Sequence, residues 1–390
     1  IEADTRCAMK VYPHNVRTIK NENRALILNY IRKKPISRAA IAKISNMSKS
    51  AVTMITNDLI NEGQVTEVGA MSSAHGRKSI LLDIVADHRY AAGIALHRQY
   101  IYVCITDLKS HIVAYSSYRT EQWDDAYRLM DFAWSEVLRF LSELHIPPEK
   151  CIGIGVSAPG PLDYVTGTIL NPPDFAFFHH VDVGNYLREK SGLPVTVDNN
   201  AVLLTLQESF RAETSYRNWM FVIVSDGIGS AIMTGGKIYR GFGGFAGELG
   251  HTSIHAGGIP CSCGNFGCLE KYVTIKALQE KFHFPSYERL VDDACMGDRE
   301  ANAVLAYIAD CFSCAIINSV NLFDLDGVII HGQFSYRGER LQSLLQERIN
   351  AQSVITRNHT VSVRFSDMHP DEASASVCAA IINRYFEQKI

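Results

Sequence analysis

The sequence predicts an α/β protein that begins with a small helical domain. From about Tyr90 onward, short apolar strand patterns alternate with amphipathic helical patterns, as in proteins built from strand–helix units. Before that point, three helix-like segments precede two strand-like ones. Residues 1–90 carry 14 Lys or Arg and 8 Asp or Glu, whereas the remaining 300 carry 24 and 33. At 390 residues, 47% of them hydrophobic, the chain can form more than one buried core.

The helices of the basic segment are indicated by periodicity and by their caps. An apolar repeat of 3.6 residues predicts a first helix from Asn15 to Lys34, and Pro35 ends it. Ser37 and Ser48 stand where N-caps of two shorter helices belong. The third helix is predicted to run to about Glu62, and Gly63 stands where a left-handed C-cap belongs.

Two strand-like pieces follow, Gln64–Val68 and Ser79–Ile84, with the basic loop Gly69–Lys78 between them. Three helices and a two-stranded hairpin form a winged helix-turn-helix, which together with the basic charge predicts binding to double-stranded DNA. The alternatives are a helix pair that belongs to an ordinary core and a chance cluster of solvated charges. With the third helix in the major groove, the predicted contacts are Arg38, Ser48, Lys49, Ser50, Thr53, Asn57, Arg77 and Lys78, with Thr56 at the edge.

Within the body, Tyr90–Thr106 and His111–Arg119 are predicted to form a β-hairpin, and Ala373–Gln388 a closing helix. Cys311-x-x-Cys314 lies in a long apolar helical pattern without a nearby His or turn. We therefore expect these two thiols in the core rather than in a metal or redox site.

A metal site is predicted in a glycine-rich run. Cys261, Cys263 and Cys268 follow His251 within 17 residues, and three thiolates with one imidazole form a closed tetrahedral Zn²⁺ site. Four protein ligands leave no open position, so the expected zinc is structural rather than hydrolytic. The alternative is three small buried thiols in a loop.

Composition also bears on the compartment. Ten cysteines in 390 residues are too few for a disulfide scaffold, and the first residues have no basic stretch followed by an apolar one. No continuous apolar run approaches the roughly 18 residues of a membrane helix. We expect a cytoplasmic protein without membrane insertion.

Several motifs together resemble the ROK family (repressor, open reading frame, kinase), and in particular its transcriptional repressors of the xylose-, N-acetylglucosamine- and glucose-responsive types. The resemblance spans nearly the whole chain. Its motifs are the winged helix with Gly76-Arg77-Lys78, the run Gly153 to Pro161, the run Gly247-Glu248-Leu249-Gly250-His251, and the cysteine motif from Cys261 to Glu270.

The resemblance implies an actin-like (ribonuclease H-like), two-lobed ATPase fold behind the winged helix. The implied domains are residues 1–86 for DNA binding, 87–198 with 373–390 for the first lobe, and 199–372 for a second lobe with the zinc loop and a sugar cleft. Family kinases bind sugar with residues that correspond here to Asn199, Asn200, Glu248, His251 and Glu270.

The chain departs from the kinases of the family at the positions that handle phosphate. The catalytic Asp corresponds to Asn200, and an amide has no useful basicity. In the first phosphate loop, Ala95 replaces an Asp, and His97 and Arg98 replace glycines. In the second, Asp226 replaces a Thr. The fourth departure is the adenosine-side turn, which reads Ile330-His331-Gly332-Gln333 in place of a glycine-rich stretch.

These observations favour a sugar-responsive DNA-binding transcriptional regulator, most simply a repressor, that is not an enzyme. We expect a homodimer or homotetramer on a pseudo-palindromic operator. The alternatives are a bifunctional sugar kinase with a DNA-binding arm and a zinc-dependent scaffold. A transport-protein partner could also replace the sugar as the signal.

Overall fold

The computed structural model describes residues 16–71, 79–97, 99–172, 175, 177–211 and 216–387. The chain divides into two compact units. The first comprises the residues up to His88 together with those from Ile382 onward, and the second comprises Arg89–Ile381.

The first unit contains three helices and a three-stranded antiparallel sheet with the strand order β1-β3-β2. Ser37 and Ser48 cap the second and third helices, accepting hydrogen bonds from Ala40 N and Ala51 N. Its elements are α1 (Val16–Lys33), β1 (Ile36–Ser37), α2 (Arg38–Ser45), α3 (Lys49–Asn61), β2 (Val65–Met71) and β3 (Ser79–Ile84), around a core that includes Ile27, Ile31, Ile41, Val52, Leu59 and Leu82.

The second unit contains two five-stranded sheets. The first has the order β11-β7-β4-β5-β6 and packs against α4 and α5, and a small sheet of β8, β9 and β10 accompanies it. The elements of this part are β4 (Tyr90–Leu96), β5 (Tyr100–Asp107), β6 (Ile112–Arg119), α4 (Ala126–Glu143), β7 (Cys151–Ala158), β8 (Leu162–Asp163), β9 (Thr168–Ile169), β10 (Val181–Asp182), α5 (Val183–Ser191) and β11 (Val195–Asn199).

The second sheet has the order β14-β13-β12-β15-β16. One face packs on the long helix α10 and on α11, and the other packs on α6. Its elements are α6 (Asn200–Arg211), β12 (Asn218–Val224), β13 (Ile228–Thr234), β14 (Lys237–Ile238), α7 (Glu270–Val273), α8 (Ile275–Phe282), α9 (Tyr287–Cys295), α10 (Arg299–Phe323), β15 (Gly327–Gly332), α11 (Glu339–Gln352), β16 (Ser362–Phe365), α12 (Pro370–Ala375) and α13 (Ala379–Phe386).

The structure differs from the expected elements at two places. The predicted strand Tyr90–Thr106 is two strands, β4 and β5, because His97 N donates to Tyr100 O across a tight turn. The predicted closing helix is divided into α12 and α13 by a 3-10 turn at residues 376–378. A Cβ at Gly155 would lie 2.1 Å from Val377 O, so the turn packs directly on the backbone of β7.

The end of the chain differs from the expected domains as well. We expected residues 373–390 within the first lobe, but those from Ile382 onward group with the first unit. Phe386 is fully buried there: the Arg32 guanidinium lies 4.6 Å from its ring centroid, and Asn29 donates to its carbonyl oxygen.

The helix α10 is, among the described residues, the one helix long and apolar enough to cross a membrane by length and composition. Its most apolar window is 61% buried inside the protein, with Ile308 and Phe312 in the core. Cys314 lies on the opposite side and is exposed, and Cys311 is half-buried. The prediction of two core thiols is therefore wrong for Cys314, because the core-facing stripe of α10 passes through its neighbours.

Candidate functional site

A cleft of about 980 Å³ opens in the second unit where strands of both sheets end. Because β4, β7 and β11 run parallel, their carboxyl ends meet at one edge of the first sheet. The turn between β12 and β13 supplies part of the opposite wall. All five residues predicted to bind a sugar line this cleft: Asn199, Asn200, Glu248, His251 and Glu270.

The two asparagines stand at the junction of β11 and α6. Asn199 Oδ1 accepts a hydrogen bond of 2.8 Å from Ala201 N and so caps α6. The Asn200 side chain lines the cleft and has no hydrogen-bond partner among the described residues. Asn200 can therefore offer both its amide donors and its acceptor to a ligand.

The neighbouring carboxylate, Asp198, is occupied by Arg240. The guanidinium donates two hydrogen bonds, of 2.8 and 2.6 Å, to its two oxygens. Arg240 also lies 4.3 Å from the ring centroid of Tyr164. The Asp198 side chain is 7% exposed, so this pair anchors the end of β11 and leaves no free base beside the asparagines.

The segment Gly247–His251 is held by backbone packing against β13. A Cβ at Gly247 would lie 2.4 Å from Ser230 O, and one at Gly250 would lie 2.3 Å from Ile228 O. Ser230 Oγ also donates to Gly247 O at 2.6 Å. Only glycine permits this approach, and the result is a rigid turn that presents Glu248 and His251 to the cleft.

The electrostatics of Glu248 follow from its place in the cleft wall. Removal from water raises the pKa of the Glu248 carboxyl, Glu270 raises it further, and His251 lowers it. This carboxyl can accept hydrogen bonds from ligand hydroxyls when it is ionised.

Four potential metal ligands converge beside the cleft. The ligand atoms of His251, Cys261, Cys263 and Cys268 all lie within 4.8 Å of one another. His251 Nδ1 is 3.7 Å from Cys261 Sγ, and Cys263 Sγ is 3.7 Å from Cys268 Sγ. The four predicted metal-binding residues are therefore assembled around one point.

Backbone hydrogen bonds hold this arrangement. Cys261 N donates to Asn265 O, Gly264 N donates to Cys261 O, and Asn265 Nδ2 donates to His251 O. A Cβ at Gly267 would lie 1.9 Å from His255 O, so the loop closes where only glycine fits. The loop is thus shaped for a metal by its own hydrogen bonds.

Glu270 connects the metal cluster with the cleft. It begins α7 two residues after Cys268, and its Oε1 lies 3.2 Å from Cys261 Sγ and 3.7 Å from His251 Nδ1. A Cβ at Gly227, across the cleft, would lie 3.8 Å from its Oε2. The same carboxylate therefore touches the cluster and faces the turn between β12 and β13.

Three aromatic residues of the cleft were missed. Tyr100 and Tyr102 line it from β5, with ring centroids 6.3 Å apart, and Phe245 lines it from the loop before Gly247. The spacing of the two tyrosines places them on one face of a strand and was a usable signal. Phe245 had none.

In the first unit, α3 presents a polar face. Lys49, Ser50, Thr53 and Asn57 are exposed there, as predicted for groove contacts. Met54, which was not predicted, is 55% exposed on the same helix. This face carries one cation and several short hydrogen-bonding side chains.

Arg38 and Thr56 differ from the other predicted contacts. Thr56 is fully buried, and Arg38 Nε donates to its Oγ1 at 3.0 Å. The same guanidinium donates to Glu67 at 2.8 Å and to Asn57 at 3.2 Å. Thr56 is therefore not at the groove edge, and Arg38 joins α2 to α3 and β2. Arg77 and Lys78 lie outside the described residues.

The fold and cleft define a class shared by sugar kinases and transcriptional regulators with the actin-like ATPase fold. The chain superimposes on a ROK family transcriptional regulator described as a homolog of the E. coli MLC protein, with a TM-score of 0.78, 23% identity and coverage of 95% and 97% of the two chains. It also superimposes on the ROK hexokinase from Thermus thermophilus, with a TM-score of 0.64, 24% identity and coverage of 77% and 99%.

Sequence comparison identifies the family. Residues 91–383 match the model of the ROK family. The xylose repressor of Caldicellulosiruptor bescii is 29% identical over 388 residues, covering 94% of this chain and 97% of the relative. The protein belongs to the ROK family.

Proposed function

We propose that this protein is a sugar-responsive transcriptional repressor whose kinase-like body binds its effector without phosphorylating it. The observation that carries this proposal is the length of the similarity. A xylose repressor matches 94% of the chain, whereas the family match begins only at residue 91. The similarity to a repressor therefore extends into the first unit, which a sugar kinase would not need.

The first unit acts as a winged helix-turn-helix. Helix α3 enters the major groove, and its exposed Lys49, Ser50 and Thr53 contact the DNA, with Asn57 further along the helix. Ser48 caps the helix, and Arg38 fixes its packing. Arg77 and Lys78, between β2 and β3, supply phosphate contacts. One such module binds weakly, so two copies in a homodimer or homotetramer share one operator.

The cleft binds a monosaccharide. A pyranose offers adjacent hydroxyls, and the polar side chains that line the cleft include two asparagines, two glutamates and a histidine. Carboxylates accept from these hydroxyls and amides both donate and accept. Asn199, Asn200, Glu248, His251 and Glu270 are the proposed sugar ligands.

A structural Zn²⁺ fits the His251, Cys261, Cys263 and Cys268 cluster. With Zn–S bonds of about 2.3 Å, two thiolates of a tetrahedral site lie about 3.8 Å apart. The 3.7 Å separation of Cys263 Sγ and Cys268 Sγ agrees with this value. Bound metal would fix the loop from which His251 and Glu270 reach the cleft.

The phosphoryl end of the cleft supports the absence of kinase activity. Asn200 stands where the resemblance places the catalytic base, and Asp198 is held by Arg240. The first phosphate loop is a tight turn after β4, with His97 in place of a glycine. Asp226 adds a negative charge to the second phosphate loop.

Control by the sugar requires that it bind one conformation of the protein better than another. A coupling of about 1–3 kcal/mol between sugar and DNA binding gives roughly 5- to 150-fold derepression. A transport protein as the signal would leave the operator affinity unchanged by sugars.

The test is binding of fluorescent duplexes selected from a random library, measured by anisotropy at low salt. Lys49→Ala should weaken binding and reduce the slope of log affinity against log salt by about one. Lys276→Ala, a matched change of an exposed lysine in the second unit, should do neither. Absence of duplex binding at low ionic strength contradicts the proposal.

The kinase alternative is tested separately by ADP release with hexoses, pentoses and amino sugars. Turnover above about 1 s⁻¹, ordinary for enzymes, would establish a bifunctional kinase. An unchanged operator affinity across the same sugars would contradict sugar induction.

A further inference from the structure

The charge of the cleft wall bears on which sugars can enter. Three of the described lining residues carry carboxylates, and none of the described lining residues is Lys or Arg. Burial lowers the pKa of His97, so its imidazole does not supply a cation near pH 7. The carboxylates are Asp226, Glu248 and Glu270.

Asp226 stands apart from the other two carboxylates. It lies in the turn between β12 and β13, and its carboxylate has no hydrogen bond or ion pair among the described residues. A Cβ at Gly229, in the same turn, would lie 3.6 Å from Ala201 Cβ. The turn therefore packs beside the first residues of α6, and at Gly227 it also faces Glu270, since a Cβ there would lie 3.8 Å from Glu270 Oε2.

Some of the N–H groups that could form a phosphate site at the end of the cleft where Asn200 stands already have acceptors. Such sites use free N–H groups at helix N-termini, glycine-rich turns, or Lys and Arg side chains. At the start of α6, Asn199 Oδ1 already accepts from Ala201 N. Between β4 and β5, His97 N already donates a hydrogen bond to Tyr100 O. A phosphate dianion here would meet the Asp226 carboxylate, and two of the nearby N–H groups already have acceptors.

We propose that Asp226 is a specificity-determining residue that restricts the cleft to uncharged sugars, so that the effector is an unphosphorylated monosaccharide rather than a sugar phosphate. This inference rests on the proposed function. A sugar hydroxyl can donate to Asp226 without bringing charge, whereas a phosphate placed at that hydroxyl adds like-charge repulsion in a cleft whose described lining holds three carboxylates and no Lys or Arg.

Isothermal titration of the full-length, zinc-loaded protein with matched pairs tests the proposal. The pairs are glucose with glucose 6-phosphate, N-acetylglucosamine with its 6-phosphate, and xylose with xylose 5-phosphate. For any pair whose neutral member binds, the phosphate should bind at least about tenfold more weakly at low salt. The ratio should shrink as salt rises, because screening weakens the repulsion.

Asp226→Asn keeps the size of the side chain and removes its charge. This substitution should reduce the ratio of the affinities for neutral and phosphorylated sugar by at least about threefold, mainly because the phosphorylated sugar binds more tightly. Asp124→Asn is the matched control, because the Asp124 side chain is 90% exposed and outside the cleft lining.

The outcomes separate this inference from the function on which it rests. If a phosphate binds as tightly as its neutral partner or more tightly, or if Asp226→Asn leaves the ratio unchanged, the inference is wrong while the sugar-responsive function stands. If no member of any pair binds, the proposed function fails and the inference fails with it. If the Asp226→Asn variant does not fold, the wild-type protein still tests the inference, through the ratio of its affinities for neutral and phosphorylated sugars and the change of that ratio with salt.

Discussion

The two ends of the cleft differ in what holds their side chains. At the end near the metal cluster, Glu248, His251 and Glu270 project from segments packed backbone to backbone on β13 or tied into the cysteine loop. At the other end, Asn200 and Asp226 have no hydrogen-bond partners among the described residues. The side chains proposed to recognise a sugar therefore project from constrained segments, whereas Asn200 begins α6 and Asp226 lies exposed in the turn between β12 and β13. Recognition can therefore persist while the chemistry beside it changes.

The largest effect is expected at the rigid end, from loss of the metal. Cys268 is fully buried within the cluster, so Cys268→Ser should abolish stoichiometric zinc and weaken sugar binding by at least about 100-fold. Elemental analysis measures the zinc content, and titration with the sugar measures the affinity. Cys314→Ser, at an exposed thiol on α10, is the control. Unchanged sugar affinity in a metal-free protein would mean that the loop needs no zinc.

The second prediction concerns the ion pair between Asp198 and Arg240, which anchors the end of β11. Asp198→Asn leaves the Arg240 guanidinium without its anion in a largely buried site, which should lower the free energy of unfolding by about 3 kcal/mol. Urea unfolding measures this value. Adding Arg240→Met should recover part of the loss, since no cation then remains unpaired. A loss below about 0.5 kcal/mol would show that the pair is not an anchor.

A third, smaller effect concerns one carboxylate of the rigid end. Glu248→Gln should weaken sugar binding about tenfold, because a charge-assisted hydrogen bond is replaced by a neutral one. The wild-type affinity should also fall as the pH is lowered through the raised pKa of Glu248, since the protonated carboxyl accepts less well. The Gln variant should lack this pH dependence. Zinc retention must be measured in parallel at each pH.

The smallest effect is expected from restoring a carboxylate at the other end. Asn200→Asp returns a potential base, but His97 and Asp226 still obstruct phosphate, so ADP release should stay at background with every sugar tested. Turnover near 1 s⁻¹ from this single change would show that the phosphoryl end had lost only its base.

Much of the site could be predicted because local spacing determines it. The cysteine motif, the glycines around Glu248, and the caps Ser37 and Ser48 each act over a few residues. The spacing of His251 and the cysteines therefore indicated the four converging metal ligands, whereas the five cleft residues followed from the resemblance to the ROK family.

Contacts between distant residues could not be predicted. Arg240 and Asp198 are 42 residues apart, and no local pattern links them. Thr56 is polar, and its burial is satisfied in part by a hydrogen bond from Arg38, 18 residues earlier in the chain, which no local pattern indicates. The break at residues 376–378 depends on Gly155, whose missing side chain makes room for Val377. Each of these features is set by tertiary packing.

The burial of Phe386 against α1 has a consequence for the order of events during synthesis. Asn29 and Phe386 are 357 residues apart in the chain. A ribosome releases the first of them long before the second exists, so the amino-terminal unit emerges with part of its hydrophobic interior missing. Nascent chains and prematurely terminated products lack this closing piece, and a complete first unit becomes available only when the second unit has also been translated.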